Sequence, residues 1–218
     1  TLIVENRTTI DDFGYPLDMA LSPDGIKMAV SYMRVNGNKI STHIAFYNFG
    51  SAGQMELNNQ VGELNVDDVL APQIFFCDNS TAVAVRTDGF TVFSGSQSPK
   101  EKKTVKFDQE IISTFHDGNR IGFVFDGGDS GHKYLMKVYN TGGKNTMQKY
   151  FDLQYNSITL QKDKIVLFNE KEFAIYKLNG QKTFQGKYRK PIQNVLSIRG
   201  FRKYMVITED SADLIRLG

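Results

Sequence analysis

The sequence predicts an all-β protein, a β-propeller of about five four-stranded blades forming one domain over residues 1–218. Three observations carry this. Apolar residues recur with a period of two along most of the chain, the spacing of strands rather than of amphipathic helices. One hairpin design returns five times: LSPDGIKMAV (21–30), FFCDNSTAVAV (75–85), STFHDGNRIGFVF (113–125), ITLQKDKIVLF (158–168) and LSIRGFRKYMVI (196–207). Behind each hairpin comes an alternating strand that mostly ends at glycine, and successive first strands lie roughly 35 to 56 residues apart, around the ~40–50 of propeller blades.

Taken in order, TLIVENRTTI (1–10) reads as a lone strand ahead of the first blade. The first unit, about 11–60, alternates at Leu17, Met19 and Leu21, turns, and alternates again at Ile26, Met28 and Val30. In that turn Pro23 presets its own φ, Asp24 bonds back to the main chain, and Gly25 accepts a positive φ. The third strand of this unit is HIAFYNFG (43–50), with Phe46, Tyr47 and Asn48 in a pattern repeated at Val138, Tyr139, Asn140 and at Ile175, Tyr176, Lys177.

The second unit, about 61–107, continues through GFTVFSGS (89–96) to a polar fourth strand, KTVKF (103–107). The third, 108–152, ends on YLMKVYNTGG (134–143) and MQKYF (147–151), and the fourth, 153–188, on EFAIYKLNG (172–180) and FQGKY (184–188). The fifth, 189–218, stops after its third strand, ADLIRLG (212–218). Residues 1–9 beside 212–217 would supply the missing strand and close a five-membered ring, removing two sheet edges. Pro16, Pro72 and Pro191 precede first strands, Pro23 sits in a turn and Pro99 in a loop, so none interrupts a ladder. A β-sandwich has no reason to repeat this unit at this period.

Composition excludes several classes. At 40% hydrophobic and 23% charged the chain is too apolar to be disordered. A net charge of +2 marks neither a nucleic-acid nor a membrane-surface protein, and KYRK (187–190) and FRKY (201–204) fall on opposite faces, so no nucleic-acid track forms. The single cysteine, Cys77, rules out an internal disulfide framework and reads as a small buried hydrophobe on a strand. No apolar run approaches the ~18 residues of a membrane span.

Motifs with apparent chemistry do not hold. GGDSGH (127–132) contains the GDSG of a protease nucleophile loop, yet bulky His132 follows where those enzymes have glycine, and the loop joins two strands of a blade. His43, His116 and His132 lack ligand spacing, Asp126 and Asp129 lack the ligand order of a calcium loop, and no cofactor is expected. Asp18 on a first strand is the conceivable carboxylate of a glycan hydrolase.

What stands out is charge sidedness. Loops sharing one propeller face carry acids, among them Asp11, Asp12, Asp67, Asp68, Asp126 and Asp129, with Tyr15 as an aromatic contact. Loops of the other face carry Lys100, Lys102, Lys103, Lys162, Lys164, Arg202 and Lys203, and the two sets differ by roughly −7 against +7. The first face is expected to bind a cation, peptide or glycan, and the second to meet an anionic surface such as wall polymer or lipid headgroups.

DFGYPLDMALSPDGIKMAVSY (12–32), HIAFYNFG, the Asp67 and Asp68 pair before LAPQIFFCDNSTAVAV (70–85), and TEDSADLIRLG (208–218) together resemble an uncharacterised family of bacterial, membrane-anchored, propeller-like proteins. The resemblance covers nearly the whole chain. It implies a short cytoplasmic start, one transmembrane helix and an extracytoplasmic propeller with further blades upstream, to one of which strand 1–10 would belong. No catalytic residues come with it. The expected function is therefore a non-enzymatic extracytoplasmic binding, sensing or protein-interaction module, tethered through an anchor upstream, whose partner is a protein or a cell-surface polymer. The competing expectation is a hydrolase acting on glycans at the central channel.

Overall fold

The computed structural model of the protein describes residues 9–53, 59–198 and 202–217. Among them are nineteen strands in five antiparallel sheets, the blades of a β-propeller. The first sheet is β1 (Tyr15–Leu21), β2 (Lys27–Asn36), β3 (Lys39–Asn48) and β4 (Gln60–Asp67). The second is β5 (Gln73–Asp78), β6 (Thr81–Arg86), β7 (Gly89–Ser94) and β8 (Lys100–Lys106). The third is β9 (Ser113–Asp117), β10 (Arg120–Asp126), β11 (Tyr134–Asn140) and β12 (Asn145–Phe151). The fourth is β13 (Ser157–Gln161), β14 (Lys164–Phe168), β15 (Glu172–Lys177) and β16 (Lys182–Lys187), and the fifth is β17 (Asn194–Ser197), β18 (Lys203–Ile207) and β19 (Ala212–Arg216). Strand order follows the chain in every sheet.

Local chemistry explains the hairpins. In the first, the Ser22 hydroxyl donates to Asp24 Oδ1, the Gly25 N–H donates to Ser22 O at 2.8 Å, and Gly25 sits at φ 71°. The expected turn is thus made by the expected residues. Residues 199–201 of the fifth hairpin lie outside the described residues.

Two boundaries move. Gln60–Asp67 pairs with β3, so the first sheet runs to Asp67 and the division drawn at 60/61 shifts to the loop before Gln73. At the start, residues 1–8 of the expected lone strand and its pairing with 212–217 lie outside the described residues, while Ile10–Phe13 forms one helical turn, α1. Thr9 caps α1, its Oγ1 accepting from the Asp12 N–H at 3.2 Å, and Asp11 and Asp12 occupy the first turn, where the helix dipole favours acids.

The sheets form two compact units, one holding the first and second sheets, the other the third, fourth and fifth. In the first unit Ala29, Ile44 and Phe46 pack against Ile74, Ala84 and Phe93, with the Phe46 and Phe93 rings 4.8 Å apart. In the second, β14 and β15 bury both faces. Ile165, Leu167, Ala174 and Tyr176 meet the third sheet, and Val166, Phe168, Phe173 and Ile175 meet the fifth. A strand covered on both sides needs no polar face, which is why KIVLF and EFAIY are continuous apolar runs. Turn-to-turn bonds tie neighbouring sheets within each unit: Asp24 N–H to Asn79 Oδ1 at 3.0 Å, and Lys162 N–H to Asp117 Oδ2 at 2.7 Å.

Each fourth strand begins with a bulge. The extra residue is Val61 in β4, Lys102 in β8, Thr146 in β12 and Thr183 in β16. The two threonines close it alike, Thr146 Oγ1 donating to Val138 O and Thr183 Oγ1 to Ile175 O, both at 3.1 Å. A bulge turns the residue ahead of it onto the other face of the strand. In β16 this brings Lys182 to the side of Gln185 and Lys187, facing the third sheet.

Candidate functional site

The residues read as an acidic face lie in both units. In the first, Tyr15 opens β1 opposite Met33, and Asp67 closes β4 opposite Ser41, at one end of the first sheet. Asp68 follows with φ 58° and donates its N–H to Ile40 O at 2.9 Å. Asp11 and Asp12 join that end through Arg34, whose guanidinium donates to Asp12 O at 2.6 Å, Phe13 O at 3.3 Å and Asn65 Oδ1 at 3.1 Å. A cation that sequence reading passed over thus holds the backbone of the turn that carries Asp11 and Asp12. Behind it His43 is 1% exposed, with Nδ1 2.8 Å from Asn65 Oδ1, and burial pushes its imidazole below the usual range. In the second unit Asp126 closes β10 and spends Oδ1 on the Gly128 N–H, and Asp129 lies in a 3₁₀ turn over Gly128–Ser130.

Among the basic residues, Lys100, Lys102 and Lys103 belong to strand β8 itself rather than to the loop before it. Lys162 and Arg202 hold left-handed positions in hairpin connections, at φ 59° and 55°. Lys164 and Lys203 open β14 and β18, and the Lys164 ammonium lies 5.3 Å from the centroid of the Tyr204 ring. Since Gln161 Nε2 donates to Val195 O at 2.8 Å, the hairpin ends of the fourth and fifth sheets are neighbours, and these four cations share that end.

Other candidates have structural tasks. Asp18 accepts the N–H groups of Met19 and Ile74 at 2.9 and 2.8 Å, bonding the first sheet to the second. Burial pushes the free Cys77 thiol up to about 12, with Asp78 adding to it, so a thiolate is scarce at neutral pH. Among the described residues no group of three or more His, Cys, Asp and Glu side chains could hold a metal ion.

One concavity of the second unit escaped the sequence reading. It is a cleft of about 930 Å³ between the outer strands β12 and β16. Lys149 and Phe151 project from β12, Lys182, Gln185 and Lys187 from β16, and Tyr176 lies between them. His132, the last residue of GGDSGH, lines its lip. Gly127 permits the fold-back, because a Cβ there would lie 1.8 Å from His132 O. His132 Nδ1 comes 2.9 Å from Asp152 Oδ2, the Lys133 N–H donates to Asp152 Oδ1 at 3.0 Å, and the imidazole stacks on Tyr150. The Ser130 hydroxyl accepts from the backbone N–H of His132 at 3.2 Å.

Lys133, Lys149, Lys171, Lys182 and Lys187 line the cleft against Asp152, Glu170 and Glu172. Lys182 reaches Gln185 Oε1 at 2.8 Å. The other four ammonium groups have no hydrogen bond or ion pair among the described residues. One sequence signal would have found the walls: Thr-Met-Gln at 146–148 and Thr-Phe-Gln at 183–185 repeat the bulge threonine, an apolar residue and a glutamine.

The His132 bond, followed by the Lys133 N–H, holds the Asp152 carboxyl below the usual carboxylate range. A depressed folded-state value contributes stability above the ordinary carboxylate pKa and loses it as pH falls through the folded value. Asp152→Asn is therefore expected to be less stable than the parent at neutral pH. The two urea midpoints should converge as the carboxyl protonates in acid.

A family model described as a family of unknown function (DUF5711) matches residues 1–217. No curated protein sequence matches the chain. Among solved structures, Sqt1 from Chaetomium thermophilum is similar at TM-score 0.60 and 12% identity, over 88% of this chain and 56% of that one. Hsv2 from Kluyvelomyces marxianus is similar at TM-score 0.55 and 10% identity, over 93% and 72%. A structure of BBS1N in complex with ARL6DN reaches TM-score 0.50 at 9% identity, over 86% and 69%. At such identities the likeness shows the fold.

Proposed function

We propose that this chain, which belongs to the DUF5711 family of unknown function, is a non-enzymatic binding module that engages a protein partner. The single observation carrying this reading is the cleft between β12 and β16, where the ammonium groups of Lys133, Lys149, Lys171 and Lys187 converge with no hydrogen bond or ion pair among the described residues. Its volume lies within the ~300–1,000 Å³ of binding sites. Antiparallel sheets with bulged outer strands present such a surface at little conformational cost, since the groups are held before the ligand arrives. That BBS1N was solved in complex with ARL6DN is consistent with a protein partner for a fold of this kind.

The acids around Arg34 and the cations at the hairpin end of the fourth and fifth sheets are secondary contact surfaces in this reading. The resemblance in sequence supports an extracytoplasmic site, with the chain tethered through an upstream anchor. Protease added to intact cells should then reach an epitope fused after Gly218.

The test of the binding role is equilibrium against turnover. Peptides enriched from a displayed random library are resynthesised and titrated. Saturable one-to-one binding with the peptide recovered intact is the expected result. Cleavage of peptide or glycan in proportion to time and protein concentration would overturn it.

A further inference from the structure

We infer that the cleft between the third and fourth sheets takes an extended, acidic peptide segment, an assignment that rests on the binding role proposed above. The lysines are unevenly offset. Glu172 stands opposite Lys187 in the β15–β16 register, and Asp152, Glu170 and Glu172 gather with Lys133, Lys171 and Lys187 at the lip. At the other end Lys149 and Lys182 flank the cleft with no carboxylate among its lining residues there. The two are close, because the β15–β16 turn at Gly180 lies against Gln148 and Lys149, a Cβ at Gly180 falling 3.8 Å from Lys149 Cβ. This end is where an anionic side chain gains most.

The shape favours a strand. β16 lines the cleft from Lys182 to Lys187 and the facing wall runs from Lys149 to Gln154, so each spans roughly 20 Å at ~3.3 Å per residue, the length of about six extended residues. Gln185 and Lys187, two apart on one face, repeat at the interval with which an extended peptide presents its own same-side residues. Gln154, Asn156 and Gln185 offer amide donors and acceptors for a peptide backbone. Both walls are the outermost strands of their sheets, so neither outer edge is paired within its own sheet.

Fluorescein-labelled octaglutamate, with octaglutamine as the neutral control, tests the assignment by anisotropy at low and moderate salt. Octaglutamate should bind saturably, weaken as salt rises, and lose at least tenfold in affinity in Lys149→Glu/Lys182→Glu. Lys39→Glu/Lys144→Glu, at exposed positions outside the cleft lining, should stay within twofold of the parent. All four positions are on the surface, and matching thermal unfolding of the two variants shows that both remain folded. Equal loss in both variants, equal binding of octaglutamine, or polyphosphate binding that octaglutamate cannot displace would each overturn the acidic-peptide assignment. Failure of octaglutamate alongside saturable binding of library peptides of other composition sinks this inference alone. Turnover of those peptides sinks the binding role as well.

Discussion

Phe46→Ala is expected to destabilise the protein by about 3–5 kcal/mol, a loss readable as a drop in urea midpoint. Phe46 is 1% exposed in the middle of β3, and its ring meets Phe93 where the first and second sheets pack. Removing it takes the transfer free energy of an aromatic side chain and leaves a cavity between two sheets whose backbones are held by their own ladders, so collapse around the hole is limited. Leu214→Ala provides the contrast. Leu214 is 62% exposed on β19, and its truncation should stay within about 0.5 kcal/mol. A cost below about 1 kcal/mol for Phe46→Ala would mean that the two sheets do not meet through this pair.

Asp88→Ala is expected to cost about 3 kcal/mol, at the low end for a broken buried ion pair because Asp88 is itself partly exposed. Arg86 is 6% exposed at the end of β6 and reaches over the β6–β7 turn to Asp88, Nε to Oδ1 at 2.8 Å and Nη2 to Oδ2 at 2.9 Å. Its Nη1 lies 3.2 Å from Thr91 Oγ1. Taking away the carboxylate strands a guanidinium that water barely reaches. Arg86→Met/Asp88→Ala should therefore be more stable than Asp88→Ala, since the double replacement removes the uncompensated charge along with its partner. If the double variant unfolds at lower urea than the single one, Arg86 contributes through packing of its stem rather than through the pair.

Much of the fold could be read from neighbouring residues. Ser22, Pro23, Asp24 and Gly25 specify their turn within four positions, and the strands on either side alternate as their burial requires. The fifth sheet has the three strands that its sequence contains. Where local reading failed, the relevant partner was remote. Gln60–Asp67 shows its allegiance only by pairing with β3, across a connection that its own residues do not describe.

The candidate site divides along the same line. Lys100, Lys102 and Lys103, read as loop residues, lie in β8, and Arg34, far from α1 in sequence, holds the backbone of Asp12 and Phe13. Lys149, Lys182 and Lys187 looked like the ordinary polar side of outer strands, because nothing within either strand shows that the two run beside each other. Strand identity, turn type and capping follow from the chain's own order, since they depend on torsions and hydrogen bonds a few residues apart. Which lysines face a common cleft was settled by the packing of the third sheet on the fourth and by the bulge that turns Lys182 inward. The packing joins segments about 35 residues apart, which no pattern within either strand encodes, whereas the bulge forms inside the β15–β16 hairpin.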